Sequence, residues 1–220
     1  MLIVIEGIDG CGKSTVAGEL ALSLKGEVIS FPNDKGYTGP MIREYLRGEW
    51  HVTSVKTRWP EMPEECVWAG GGALALQCMQ IANRMEVMPQ LVQASGNKWK
   101  HLVLARYWQS GWVYGQFDGL SEKFLTEVHR SMAPADLNIL LELPPEEAMR
   151  RREARDGKKP PEIYESKLES LTKAAELYRR LWDSRSGINW KSVNAGESLN
   201  YVIEKCEQLV FECRKAEGLC

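Results

Sequence analysis

Apolar residues along this chain follow two rhythms. Short runs, "LIVIE" (2–6), "EVISF" (27–31), "HLVLA" (101–105), "LNILLEL" (137–143) and "NWKSVN" (189–194), predict five strands. Between them apolar residues recur every three or four positions. That spacing predicts a helix over about 14–25 and a long one over 72–95, with Leu74, Cys78, Ile81, Met85, Met88 and Val92 as its buried stripe. A C-terminal helix carries the same pattern at Leu199, Val202, Cys206, Leu209 and Cys213. Strands apolar on both faces and separated by helices are what a parallel sheet covered on both sides requires, so the expected class is α/β. The stripe's methionines are read as core filling.

Two stretches break the rhythm. Residues 49–72 hold Trp50, Trp59, Trp68, two prolines and three consecutive glycines, and are read as an atypical insertion. Residues 150–161, "RRREARDGKKPP", form a basic strip that is either a solvated helix face or a lid. With 220 residues, one sizeable core is expected, and therefore a single domain. A net charge of −2 argues against a generally basic nucleic-acid binder. No apolar run is long enough for a membrane span and no leader is visible, so a cytoplasmic protein is expected. The six cysteines are scattered without metal-ligand spacing and read as free thiols. His51, His101 and His129 have no partner at useful spacing and read as ordinary polar residues.

The chemistry begins at "GIDGCGKS" (7–14), which satisfies G-x-x-x-x-G-K-[ST] between a predicted strand and a predicted helix. Backbone N–H groups there cradle phosphates at a helix N-terminus. Gly7, Asp9, Gly10, Cys11 and Gly12, with Lys13, Ser14 and Thr15, are the expected ATP-binding segment. Lys13 would reach the β- and γ-phosphates and Ser14 would hold Mg²⁺. Cys11 is a tolerated small residue or an oxidation-sensitive thiol. A short chain with an early phosphate loop and a late basic strip points to a small kinase, whose lid must exclude water.

Five segments in order resemble the thymidylate kinase family: "IEGIDGCGKST" (5–15), "FPNDKGYTGPMIREYL" (31–46), "IANRMEVMPQL" (81–91), "ARYWQSGWVYG" (105–115) and "INWKSVNAGESL" (188–199). The resemblance implies a P-loop kinase three-layer sandwich: a five-stranded parallel sheet flanked by helices, with a mobile basic LID at about 150–161. It implies ATP and Mg²⁺, small-molecule nucleotides as partners, and homodimers through helices beside the sheet. Arg84 and Arg106 would contact the acceptor phosphate, Asp9 the deoxyribose 3′-hydroxyl, and Arg151, Arg152 or Arg155 would be the transition-state arginine. Phe31, Lys35, Gln80, Asn83, Tyr107, Ser110 and Tyr114 complete the implied substrate site.

Three departures lie on the acceptor side. The family's Asp before Arg-Tyr is Ala105, its Phe-Pro-x-Arg clamp has Asp34 with Lys35 as the nearest substitute, and its base-stacking aromatic is Gln80. They suggest a modified or broadened pyrimidine monophosphate as acceptor. The alternatives are a kinase of a deoxynucleoside or of a hydroxyl on a modified base in DNA, using the tryptophans to stack, and a non-catalytic ATP-binding regulatory module. With no acid at 105, Glu6 is the expected residue to orient Mg²⁺-bound water or the acceptor hydroxyl.

Overall fold

The computed structural model describes residues 1–49, 71–157, 164, 167–185 and 189–216. Its strands are β1 (Leu2–Glu6), β2 (Glu27–Ser30), β3 (Leu102–Ala105), β4 (Leu137–Glu142) and β5 (Trp190–Asn194). They form one sheet in the order β2-β3-β1-β4-β5, every pairing parallel. Parallel neighbours need crossovers, and helices supply them. α1 (Lys13–Ser23) follows β1; α2 (Gly39–Leu46), α3 (Gly71–Met85) and α4 (Met88–Ala94) follow β2. α5 (Trp108–Phe117) and α6 (Glu122–Val128) follow β3, α7 (Pro145–Asp156) and α8 (Leu168–Ser184) follow β4, and α9 (Leu199–Ala216) follows β5.

The period-2 alternation of the central strands divides the core. Ile3 and Ile5 of β1, with Val103 and Ala105 of β3, join the larger apolar cluster, while Leu2, Val4, Leu102 and Leu104 join the smaller one. The edge strands differ from expectation: β2 is largely exposed, because nothing pairs beyond it among the described residues.

The expected long helix over 72–95 is two helices. Pro89 has no N–H to donate, and its ring would clash with the carbonyl of Met85, where α3 ends. Its stripe is buried only in part: Ile81 and Met88 pack against the smaller apolar cluster, but Cys78 is exposed, Met85 is 37% exposed and Val92 59%. The buried positions of α3 include Leu76 but also the polar Gln77, Asn83 and Arg84. Apolar periodicity misreads a helix whose inward face serves a polar cleft. In α9 the stripe holds at Val202, Cys206 and Cys213, and Leu199 is exposed. Trp50, His51, Trp59 and Trp68 of the Trp-rich stretch lie outside the described residues, as do 158–161 of the basic strip. Among the described residues, no helix is long and apolar enough to cross a membrane.

Asp136 secures the start of the central strand. Its Oδ2 accepts from the Leu2 N–H at 2.7 Å and its Oδ1 from the Gly96 N–H at 2.9 Å. Removing a buried acceptor strands its donors, so Asp136→Ala should lower unfolding stability by about 2 kcal/mol in urea titrations. Asp136→Asn should lose less, because its amide oxygen still accepts.

Candidate active site

At the carboxyl end of β1 the chain turns through Gly7 (φ 142°), Gly10 (φ 86°) and Gly12 (φ 95°) before α1 opens at Lys13. Two of these matter most. At Gly10 a side chain would strike the Ala148 carbonyl of α7, so the loop can lie against that helix only with hydrogen there. Gly12 takes the left-handed conformation that aims the following N–H groups outward. Gly10, Gly12, Lys13, Ser14 and Thr15 line a cleft of about 430 Å³. Lys13 is buried, and its Nζ donates to the Ile8 carbonyl at 2.7 Å. Gly7 and Cys11 do not line the cleft. Burial pushes the Cys11 thiol's pKa up, Lys13 notwithstanding, which favours the reading of a tolerated small residue over that of an oxidation-sensitive thiol.

The opposite lip is organised by Glu6, which is fully buried. Its Oε1 accepts from the backbone N–H groups of Tyr107 (2.7 Å) and Ser110 (3.1 Å). Its Oε2 accepts from the hydroxyls of Ser110 (2.8 Å) and Tyr178 (2.9 Å). A carboxylate occupied by four donors is not aimed at a metal or an acceptor, so the reading of Glu6 as a substitute acid is corrected: it builds the β3–α5 turn. Within that turn Arg106 adopts φ 70°, rare for a residue with a side chain. Its guanidinium meets the Asp9 carboxylate, which also accepts from the Tyr114 hydroxyl at 3.0 Å and lies 3.8 Å from the Lys13 ammonium. Burial alone would raise the Asp9 pKa, but Arg106, Lys13 and Tyr114 outweigh it and hold the carboxyl below its ordinary range.

Arg84 comes from α3 and is almost fully buried at the cleft wall. Nη2 donates to the Tyr107 carbonyl at 2.9 Å and to Gln80 Oε1 at 3.3 Å, while Nε and Nη1 have no partner among the described residues. Burial pulls its pKa down to about 10, against the pull of Glu6, so the charge survives at neutral pH. A buried cation with unmet donors at a cleft wall is a site for an anion or a strong acceptor. Asn83 ties α3 to the β2–α2 loop, accepting from the Asn33 N–H at 2.6 Å and donating to its carbonyl at 3.2 Å.

Of the remaining expected residues, Phe31, Gln80, Asn83, Ser110, Tyr114 and Arg155 line this cleft. Others do not. Lys35 points into solvent, so it does not replace the missing clamp arginine. Tyr107 is buried in the smaller apolar cluster against Phe31, and contributes only its backbone. Arg151 is held by Glu147 and the Ala195 carbonyl, and neither it nor the buried Arg152 lines the cleft. Among the lining residues that the motifs did not mark, two bear on the chemistry, Tyr164 and Arg43. Tyr164 packs on Tyr114 with ring centroids 4.7 Å apart, and nothing in its sequence context marks it. Arg43 was signalled only by the acid nine residues earlier.

The donor set also limits what metal the site can take. Ser14 offers one hydroxyl, Ala105 no ligand, and Glu6 is occupied. Among the described residues no cluster of three or more His, Cys, Asp or Glu could cage an ion. Such a site fits an Mg²⁺ carried mainly by nucleotide phosphates and water.

Behind the cleft, His129 is buried with Nδ1 2.7 Å from the Leu125 carbonyl, and its Nε2 lies where a side chain at Gly111 would sit, alongside Gln77. Burial, then the Arg84 charge, pulls its pKa down to about 3. The unfolded chain therefore binds this proton first as pH falls below about 6.5, and folding stability drops by about 1.4 kcal/mol per pH unit until the folded value is reached. Urea titrations at pH 7 and pH 5 should show the native chain losing about 2 kcal/mol more than His129→Gln.

Comparison with known proteins agrees with this geometry. The family model for thymidylate kinase matches residues 5–206. A probable thymidylate kinase of Methanococcus maripaludis is 32% identical over 185 residues, covering 84% of this chain and 79% of the relative. The thymidylate kinase of Arabidopsis thaliana is 28% identical over 227 residues, covering 99% of this chain and 75% of the relative. The solved thymidylate kinase of Candida albicans shares the fold, with a TM-score of 0.69 at 22% identity over 99% of this chain and 92% of that one. The chain belongs to the thymidylate kinase family.

Proposed function

We propose that this chain transfers the γ-phosphoryl group of ATP to the phosphate of thymidylate or a closely related pyrimidine deoxynucleoside monophosphate. Membership of the family makes it a phosphotransferase of the nucleoside monophosphate kinase type. The observation that carries the acceptor assignment is that one cleft is lined both by the glycine loop with Lys13 and by two inward guanidiniums, Arg84 and Arg106. Arg106 is paired with Asp9, whereas the buried Arg84 keeps Nε and Nη1 unmet at the same wall, which suits an anion there.

In this reading an oxygen of the acceptor phosphate attacks the γ-phosphorus, and the bond to the β-phosphate oxygen breaks as ADP leaves. The residues have little covalent work to do: they position the two phosphates and offset the charge on the transferred oxygens. The loop N–H groups and Lys13 hold the donor. Arg155, the LID arginine that lines the cleft, serves the transition state. Arg106, fixed by Asp9 and the Glu6-built turn, holds the acceptor phosphate, with Arg84 beside it. Asp9, also bonded to Tyr114, is placed to accept from a sugar hydroxyl. Mg²⁺, held through Ser14 and the nucleotide's phosphates, would screen the β- and γ-oxygens. Gln80, its Oε1 turned toward Arg84, offers the base amide N–H donors instead of a stacking ring, which suits a pyrimidine carbonyl and relaxes shape selection. The DNA-borne acceptor gains no support: the tryptophans it relied on lie outside the described residues.

The test is ATP-to-ADP turnover with thymidylate, other deoxynucleoside monophosphates, 5-substituted pyrimidine monophosphates, free thymidine and DNA containing a hydroxymethylated pyrimidine. Turnover is expected with pyrimidine monophosphates and not with thymidine or DNA; turnover confined to either of those two would overturn the assignment. Arg106→Met should cut kcat/KM for the monophosphate by about 100-fold or more while the KM for ATP stays within a few-fold.

A further inference from the structure

The motif around residues 31–34 leaves an acid, Asp34, where an arginine would stand. An acid facing a phosphate would repel it. Asp34 does not face the cleft: its side chain is 61% exposed and turned to Arg43 of α2, which does line the cleft with Arg84 and Arg106. Arg43 Nε donates to Asp34 Oδ1 at 2.8 Å and Nη2 to Oδ2 at 3.3 Å, a two-point pairing that fixes the guanidinium plane.

Three further contacts hold that pair in place. Ile42 and Leu46 are buried and anchor α2 on either side of Arg43. A side chain at Gly39 would come within 2.8 Å of the Asp34 Cα, so the first turn of α2 lies directly on the loop bearing Asp34. The reciprocal Asn33–Asn83 bonds lock the same loop to α3, one residue from Arg84. A solvent-exposed ion pair contributes little to stability, so its rigid mounting is better explained by what it aims.

We propose that Arg43, aimed by Asp34, is a third guanidinium for the acceptor's phosphate, with the charges of the clamp exchanged between loop and helix. This rests on the monophosphate reading above. Arg43 binds substrate; Asp34 is a positioning residue that acts through it.

Initial rates with thymidylate and ATP test it. Arg43→Met should raise the KM for thymidylate at least about tenfold with little change in the KM for ATP. Arg43→Lys, which keeps the charge but not the fork, should recover only part of that. Asp34→Asn should raise the same KM a few-fold at nearly constant kcat. The double exchange Asp34→Arg with Arg43→Asp should bind thymidylate better than Arg43→Asp alone, a rescue that a merely structural pair would not give. Thermal melts and the KM for ATP report whether each variant is folded. An unchanged thymidylate KM in folded Arg43→Met, or a lowered one in Asp34→Asn, overturns the inference and leaves the proposed function standing. No turnover of any monophosphate by the unaltered chain overturns the function, and the inference with it.

Discussion

The cleft depends on one buried carboxylate. Glu6 ends the central strand with no exposure to solvent, where an unpaired charge would cost several kcal/mol. Four donors must therefore converge on it, and they come from two places: the turn after β3 and Tyr178 of α8. That convergence holds Arg106 in a left-handed conformation whose cost, about 1–3 kcal/mol, the surrounding bonds must offset. Its guanidinium thus stands beside the phosphate loop before any ligand arrives.

Charge on the cleft is arranged in layers. Asp9 sits among Lys13, Arg106 and Tyr114, so the loop's acid and the turn's base neutralise each other in part. Arg84 is different: the Glu6 charge acts on it, but that carboxylate is already bonded to four donors of its own. The protein accordingly holds a positive excess on both sides of the cleft: Asp9 stands against both Lys13 and Arg106, and Arg84 keeps unmet donors at the acceptor wall. Such preorganisation is what phosphoryl transfer needs, since its barrier falls mainly through positioning and charge neutralisation.

The strands and the phosphate loop were legible because local chemistry determines them, whereas the order β2-β3-β1-β4-β5 is set by long-range pairing. A run such as "LIVIE" must be buried on both faces, and the glycines at 7, 10 and 12 serve positive φ values that only glycine takes cheaply. The helix covering the cleft was misread for the opposite reason. α3 turns Gln77, Asn83 and Arg84 inward, and an amphipathicity argument assigns such residues to solvent. Motif resemblance brought Arg84, Arg106 and Gln80 to one cleft, yet it could not tell side chains that enter it from those that build it. Glu6 and Tyr107 build; Arg155 enters, whereas Arg151, four residues earlier, bonds to Glu147 and the Ala195 carbonyl. Arg43 could be found only by asking where Asp34 would find a partner, a question about space rather than spacing.

The most direct measurement is a crystal structure of the chain with thymidylate, Mg²⁺ and a non-hydrolysable ATP analogue. The account predicts the triphosphate on the 7–14 loop and the monophosphate within hydrogen-bond distance of the Arg106 guanidinium, with the Glu6 carboxylate still bonded to Tyr107, Ser110 and Tyr178. A monophosphate bound away from Arg106, or Glu6 released from that turn to meet the metal, would contradict it.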